Sequence, residues 1–66
     1  MEYSNSQIKA LIAEYIHSQR DRKILFRRLV DGVTYERLAE EFSLSVRQVK
    51  TIVYRGEKDL FRHLPE

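Results

Sequence analysis

The side chains best suited to chemistry lie between the apolar positions of one segment, residues 45–58. Arg and Gln side chains can bond base edges bidentately, while Lys, Thr, Ser and Tyr commonly bind phosphates. Between residues 43 and 55 there are three cations and no carboxylate. The segment therefore predicts contact with duplex nucleic acid. Its polar residues are Ser45, Arg47, Gln48, Lys50, Thr51, Tyr54, Arg55 and Lys58.

No other group of residues has the spacing of a reactive site. His17 and His63 are far apart in sequence and there is no cysteine, so no metal site is expected. Glu40 and Glu41 are adjacent on an expected helix and point in different directions, which rules out a paired acid/base site. The two glycines are isolated and cannot form a phosphate-binding loop. We expect neither an enzyme nor a cofactor.

Length and composition narrow the classes further. The 66 residues form one domain at most, residues 1–66, whose core supplies about 3–5 kcal/mol of net stability. The longest apolar run is four residues, 10–13, far below a membrane span, and Met1 is followed by polar residues without a secretory apolar region. Absence of cysteine suits a reducing cytoplasm. The net charge of +2 does not by itself indicate a partner.

Four helices must position the polar segment. Apolar residues recur at i, i+3 and i+4 and nowhere alternate with period two, so the pattern predicts an all-α bundle. Either Ser18 or Asp21 can cap the second helix, and Gly32 is expected to end it in the left-handed conformation. The expected helices cover about residues 5–18, 21–31, 35–42 and 45–60.

The third and fourth helices have the spacing of a helix-turn-helix. Counting from Tyr35, the inward positions are occupied by Leu38, Ala39, Phe42, Leu44, Val49 and Ile52. Two helices that cross steeply through a short turn need a small residue where their backbones approach, and Ala39 stands at that position. Glycine is common in the turn, so Ser43 is expected to hold a left-handed backbone at a cost of about 1 kcal/mol.

Charge separates these two helices. The third carries Glu36, Glu40 and Glu41 on its outer side, whereas the fourth is cationic. This asymmetry favours a domain that presents its fourth helix to DNA. The alternative is an interaction module on which the same charges form only a solvated face.

A second basic cluster lies at the start and middle of the second helix. Its N-terminal members could bind phosphates beside the fourth helix. Alternatively, the cluster forms salt bridges with glutamates of the first and third helices. The sequence leaves both interpretations open. The cluster comprises Arg20, Arg22, Lys23, Arg27 and Arg28.

The run "LVDGVTYERLAEEFSLSVRQVKTIVYRGEKDL" carries a family resemblance. Residues 20–60 resemble the C-terminal domain of bacterial sigma factors, which reads the minus-thirty-five promoter element. The resemblance implies a cytoplasmic bacterial or phage transcription protein whose fourth helix enters the major groove. DNA-binding domains of quorum-sensing and response regulators also share much of "LSVRQVK".

The resemblance implies a role for individual residues. Base-reading contacts would fall on Arg47, Gln48, Lys50 and Thr51. Phosphate contacts would fall on Thr34, Ser45, Tyr54 and Arg55, and Lys58 extends the same outward face. One such helix reads about half a dozen base pairs, so a homodimer or RNA polymerase would supply the remaining affinity.

Two further expectations concern the chain as a whole. The first is a rival function, a module that docks on RNA polymerase or on a sigma regulator through Tyr3, Phe61 and Leu64. The second is that the chain is either an excised domain or a stand-alone sigma-like regulator, because nothing in it supplies a core-polymerase domain. Gly56 stands where the family has a good helix former, so the fourth helix should tolerate it, kink or fray there.

Overall fold

The computed structural model describes residues 4–63, which form four helices joined by short turns. They are α1 (Asn5–Tyr15), α2 (Gln19–Leu29), α3 (Tyr35–Phe42) and α4 (Val46–Arg62). No strand occurs within residues 4–63. The prediction of an all-α bundle that contains a helix-turn-helix is confirmed.

The junction between α1 and α2 differs from the prediction. Helix α1 ends at Tyr15 rather than near residue 18, because Ile16 adopts an extended backbone and turns its side chain into the core. The Arg22 guanidinium donates hydrogen bonds to the carbonyls of Ala13 and Ile16, which satisfies the end of α1. Ser18 accepts the amide proton of Asp21, so α2 begins two residues earlier than residue 21.

The turn after α2 depends on one glycine. Helix α2 ends at Leu29, two residues before the expected end, and Gly32 has a φ of +71°. The left-handed conformation predicted for Gly32 is confirmed. The Val33 amide donates to the Arg27 carbonyl at 3.1 Å, and the Arg28 guanidinium donates to the Val33 carbonyl at 3.0 Å. These two hydrogen bonds stabilise the turn between α2 and α3.

The helix-turn-helix forms as its spacing predicts. Thr34 caps α3, and Ser43 ends it with φ 55° and ψ 44°, which confirms the left-handed serine. The Leu44 amide donates back to the Ala39 carbonyl at 2.9 Å, closing the turn. Helix α4 then runs to Arg62, two residues beyond its expected end.

The core lies around α2, which packs on all three other helices. The fully buried side chains of the core come from α2, α3 and α4. Helix α1 contributes Ile12, which is buried but keeps 4% of its surface exposed. Burial of these side chains is the main force that holds the bundle together. The fully buried residues are Ile24, Leu25, Leu38, Val49, Val53 and Leu60.

Gly56 is the close-approach point of α2 and α4. The helix continues through Gly56, which is buried. A Cβ built there would lie 2.5 Å from Cδ1 of Leu25 and 2.7 Å from its Cδ2. Glycine therefore stands in α4 because the buried Leu25 side chain occupies the space that any larger residue would need.

Across residues 4–63, every helix is too short or too polar to cross a lipid bilayer. Tyr3 and Leu64, which were assigned to a partner surface, lie outside the described residues.

Candidate nucleic-acid interface

Helix α4 begins with reciprocal hydrogen bonds between Ser45 and Gln48. The Gln48 amide proton is donated to Ser45 Oγ at 3.1 Å, and the Ser45 amide proton is donated to Gln48 Oε1 at 2.9 Å. This capping box satisfies two free amides of the first turn. The Ser45 hydroxyl proton and the Gln48 side-chain amide protons remain available to donate elsewhere.

The four residues predicted to read bases are all exposed on the N-terminal half of α4. The Thr51 hydroxyl donates to the Arg47 carbonyl at 3.0 Å, so its proton is used within the helix and its oxygen can only accept. Among residues 4–63, no ion pair within 4.0 Å involves α4. Arg47 and Lys50 thus present charge that no carboxylate among residues 4–63 pairs with.

Tyr35 of α3 is the point where three helices meet behind this surface. The Arg28 guanidinium carbon lies 4.2 Å from the Tyr35 ring centroid, and Lys50 Nζ lies 5.7 Å from it. The Tyr54 ring packs edge-on against Tyr35 at 6.3 Å between centroids. Tyr35 therefore orients Lys50 and Tyr54 by cation–π and aromatic contacts. Helical periodicity in the sequence predicted only that Tyr35 lies in the core.

The residues predicted to bind phosphate are exposed but do not form one cluster. Ser45 lies at the start of α4, whereas Tyr54, Arg55 and Lys58 follow along its length. Thr34 is separate from them at the N-cap of α3, in a depression that it shares with three glutamates and one arginine, namely Glu36, Glu40, Glu41 and Arg37. Its hydroxyl accepts the Arg37 amide proton at 3.2 Å.

Arg55 lies about 80° around the α4 axis from Arg47, because successive residues of a helix are rotated by about 100°, and it faces the start of α2. It borders a recess of about 150 Å³ that also contains Asp21 and Asp59, yet it pairs with neither within 4.0 Å. Arg55 is therefore exposed beside the junction of α1 and α2 without a direct ion pair to either aspartate.

The structure divides the basic cluster of α2 into different roles. Arg22 and Arg28 bind backbone carbonyls, as described above. Arg27 bonds Glu41 of α3, and that hydrogen bond is the main cause that raises the pKa of Arg27 above its ordinary value. The expected salt bridge to a glutamate of the third helix is thus present for Arg27.

Arg20 instead belongs to the exposed surface beside α4. Within residues 4–63 it is paired only with the neighbouring Asp21, at 3.1 Å, and 54% of its side chain is exposed. The sequence predicted that a basic residue near the start of α2 lies beside α4, but only the packing of the helices identifies it as Arg20. Arg20 borders a groove of about 350 Å³ together with Leu44, Arg47, Gln48, Thr51 and Ile52.

The tight turn at Ser43, the crossed pair α3–α4 and the exposed cationic face of α4 define a helix-turn-helix domain of the DNA-binding class. Residues 18–60, more than half of the chain, match the family described as Sigma-70, region 4. The chain belongs to this family, whose members bind DNA and RNA polymerase. No curated protein and no solved structure matches the chain significantly.

Proposed function

We propose that this chain is a sequence-specific duplex-DNA-binding module that places the first half of α4 in the major groove. The observation that carries the proposal is the unpaired charge of α4. Arg47, Lys50 and Arg55 make no ion pair within residues 4–63, whereas Arg27 of α2 is bound to Glu41. Cations left free on one exposed helix face are the electrostatic signature expected of a DNA contact.

Each base-reading side chain has a distinct capacity. Arg47 can donate two hydrogen bonds to guanine O6 and N7. Gln48 keeps its amide protons for a base acceptor because its oxygen is held by the Ser45 amide. Thr51 can accept a proton from an exocyclic amino group, since its own proton bonds Arg47. Lys50 donates from a position fixed over Tyr35.

The backbone of the duplex would be held on both sides of these residues. Ser45 and Tyr54 can donate hydroxyl protons to phosphate oxygens, and Arg55 and Lys58 supply positive charge. Arg20 adds a cation beside Arg47. Thr34 would reach phosphate only where the strand passes the start of α3, among glutamates.

A single recognition helix contacts about half a dozen base pairs, so further affinity must come from outside this domain. RNA polymerase is the first proposed source of this additional affinity, in agreement with the family. A second copy of the chain is the other proposed source. The proposed setting is the cytoplasm of a bacterium or of a phage-infected cell.

Selection of duplexes from a random pool, followed by sequencing, tests this function directly. It should return a short preferred site. Half-sites about 34–36 Å apart would indicate a homodimer. On the selected site, Arg47→Ala should cost about 1–3 kcal/mol and relax the preference at one base pair.

Two companion variants separate base reading from phosphate binding. Arg55→Ala should weaken all duplexes to a similar extent and flatten the dependence of affinity on salt. Arg62→Ala removes an arginine from the last turn of the same helix and should leave the sequence preference intact. Unchanged binding of Arg47→Ala to the selected site would refute the assignment of the reading face.

A second candidate function is docking on RNA polymerase or on a sigma regulator. Phe61 supports it, because 55% of this large apolar side chain is exposed at the end of α4. A mobility-shift assay with random duplex at low salt distinguishes the two. No retardation, together with co-purification of polymerase that Phe61→Ser abolishes, would favour the docking function.

A further inference from the structure

The capping box at the start of α4 restricts the hydrogen bonds that Gln48 can offer. Gln48 Oε1 accepts the Ser45 backbone amide proton at 2.9 Å. A backbone N–H can only donate, so the atom opposite it must be the side-chain oxygen and not the amide nitrogen. Within residues 4–63, no acceptor bonds the Gln48 NH2 group. Gln48 is therefore held as a side chain that can donate to a ligand but has its oxygen already in use.

The capping box has a physical reason to persist beneath a ligand. The Ser45 amide would lose its partner if the Gln48 oxygen turned toward a base, and a ligand that covers the helix start excludes the water that could replace it. The bond in the other direction, from the Gln48 amide to Ser45 Oγ at 3.1 Å, holds the same two residues together. Reorientation of the Gln48 side chain would thus leave a polar group at the start of α4 without a partner.

Thr51, one turn further along α4, has the opposite restriction. Its hydroxyl donates to the Arg47 carbonyl at 3.0 Å, and a carbonyl can only accept, so the Thr51 proton is committed to the helix. Both Gln48 and Thr51 are exposed, and residues three apart are neighbours on a helix surface. The first half of α4 therefore places a side chain that only donates beside one that only accepts.

The major-groove edges of the bases distinguish these two capacities. Adenine presents the N7 acceptor beside the N6 donor, and glutamine reads it bidentately only when its oxygen is available. Guanine presents two acceptors, O6 and N7, and requires only donors. Adenine and cytosine each carry an exocyclic amino group from which a hydroxyl oxygen can accept a proton.

We propose that the capping box of α4 makes Gln48 a guanine-reading side chain and prevents it from reading adenine bidentately. The hydrogen bond of Thr51 assigns this residue to the exocyclic amino group of adenine or cytosine. Both base assignments rest on the proposed DNA-binding function. Ser45 thereby determines specificity through its backbone amide, in addition to any phosphate contact of its hydroxyl.

The experiment begins with the duplex that selection returns for the full chain. Gln48→Met keeps the approximate size of the side chain but removes its hydrogen bonds, so the base pair whose preference it abolishes is the one that Gln48 reads. In the parent chain, guanine at that pair should bind about tenfold or more tighter than adenine, measured by fluorescence anisotropy. 7-Deazaguanine, which lacks N7, should weaken binding, whereas inosine, which keeps both major-groove acceptors, should not.

Gln48→Glu tests the donor directly. Glutamate preserves a capping box, so α4 should keep its start and the chain its stability. The second carboxylate oxygen can only accept, so the preference at the same base pair should move from guanine to cytosine or adenine. The four base pairs are compared within this variant, which removes general repulsion between the carboxylate and the phosphates from the comparison.

A matched pair of variants at Ser45 tests whether the capping box is the cause. Ser45→Ala and Ser45→Pro both remove the hydroxyl, but only proline also removes the amide proton that holds Gln48 Oε1. The φ of Ser45 is −79°, which proline can adopt. Ser45→Ala should keep the guanine preference, whereas Ser45→Pro should bind adenine as tightly as guanine or more tightly. Circular dichroism checks that both variants are folded.

The hydrogen bond can also be followed without any substitution. The scalar coupling between the Ser45 amide nitrogen and the side-chain carbonyl carbon of Gln48 is measured by NMR in the labelled full chain, alone and bound to the selected duplex. It should be present in both states.

Four results would overturn the base assignment of Gln48. These are a preference of the parent chain for adenine at the Gln48 base pair, an unchanged preference in Gln48→Glu, retention of the guanine preference in folded Ser45→Pro, and loss of the coupling on duplex binding. Each of them still leaves a preferred duplex, so the proposed function would stand. A random pool that returns no preferred duplex would overturn the proposed function, and the base assignments with it.

Discussion

Helices α3 and α4 begin in the same way but use their outer faces differently. Each starts at a hydroxyl cap, Thr34 or Ser45, that accepts an amide proton from the first turn. On α3, Glu41 is bound by Arg27 of α2 and lies 3.8 Å from Arg37. On α4, no charged side chain has an ion-pair partner among residues 4–63. Glu41 of α3 thus serves the packing of the bundle, whereas the cations of α4 have no ion-pair partner among residues 4–63.

Charge reversal on α4 should lower duplex affinity more than any other substitution, and the same reversal on α3 should not. Lys50→Glu with Lys58→Glu removes two proposed DNA contacts and adds repulsion, so affinity for the selected duplex should fall about a hundredfold or more at low salt. The matched reversal on α3, Glu36→Lys with Glu40→Lys, should not lower affinity. Fluorescence anisotropy over a range of salt concentrations measures both. Equal losses in the two variants would mean that net charge, and not the face of α4, determines binding.

Two small residues stand where helices approach closely, Ala39 in α3 and Gly56 in α4. Substitution of Gly56 should have the next largest effect, a loss of stability. Gly56→Ala gains about 1 kcal/mol of helix propensity but forces the new methyl group against Leu25, and such overpacking costs about 1–3 kcal/mol. We expect a net loss of up to about 2 kcal/mol in the free energy of unfolding, measured by urea denaturation.

A smaller side chain at residue 25 should reduce the cost of Gly56→Ala. In a Leu25→Val background the distal carbons that meet the new methyl group are absent, so Gly56→Ala should cost less than in the parent chain. An equal cost in both backgrounds would show that Leu25 is not the reason for the glycine.

Substitutions at the two N-cap residues should have the smallest effects on stability, and they distinguish helix capping from DNA contact. Thr34→Ala and Ser45→Ala should each lower the free energy of unfolding by about 1 kcal/mol, because each removes an N-cap acceptor. Aspartate caps a helix as well as serine does, so Ser45→Asp should keep the stability. Its carboxylate would repel a phosphate, however, and duplex affinity should fall.

The equivalent change on α3 tests Thr34. Thr34→Asp should also keep the stability, and a loss of duplex affinity would place the start of α3 against the DNA backbone. Unchanged affinity would remove Thr34 from the set of phosphate contacts and confine the interface to α4 and its neighbours.

Local signals in the sequence were sufficient for the helix-turn-helix. Thr34, Ser43 and Ser45 define the limits of α3 and the start of α4, because caps and turn residues act on their own backbone. The exposed residues of α4 follow from helical periodicity in the same way. The end of α1 was misplaced because the group that satisfies it is the Arg22 side chain, which comes from the next helix.

Features that depend on packing between helices were not accessible to sequence reasoning. Arg20 could be recognised as one of five basic residues, but only the crossing of α2 and α4 brings it beside Arg47. Tyr35 was assigned to the core, although its ring also carries Arg28 and Lys50. The Ser45 and Gln48 pair had the spacing of a capping box, yet Gln48 was assigned only a base contact.

The contact of Gly56 with Leu25 also sets the angle at which α4 meets its ligand. Successive residues of an α-helix are rotated by about 100°, so a slip of one residue against α2 would turn Arg47 a quarter of the way around the axis or more. Gly56 is the one glycine of α4, and a Cβ built there would lie within 3.0 Å of three carbons of the buried Leu25 side chain. A residue on the inner side of the helix thereby fixes the rotational setting of the outer side.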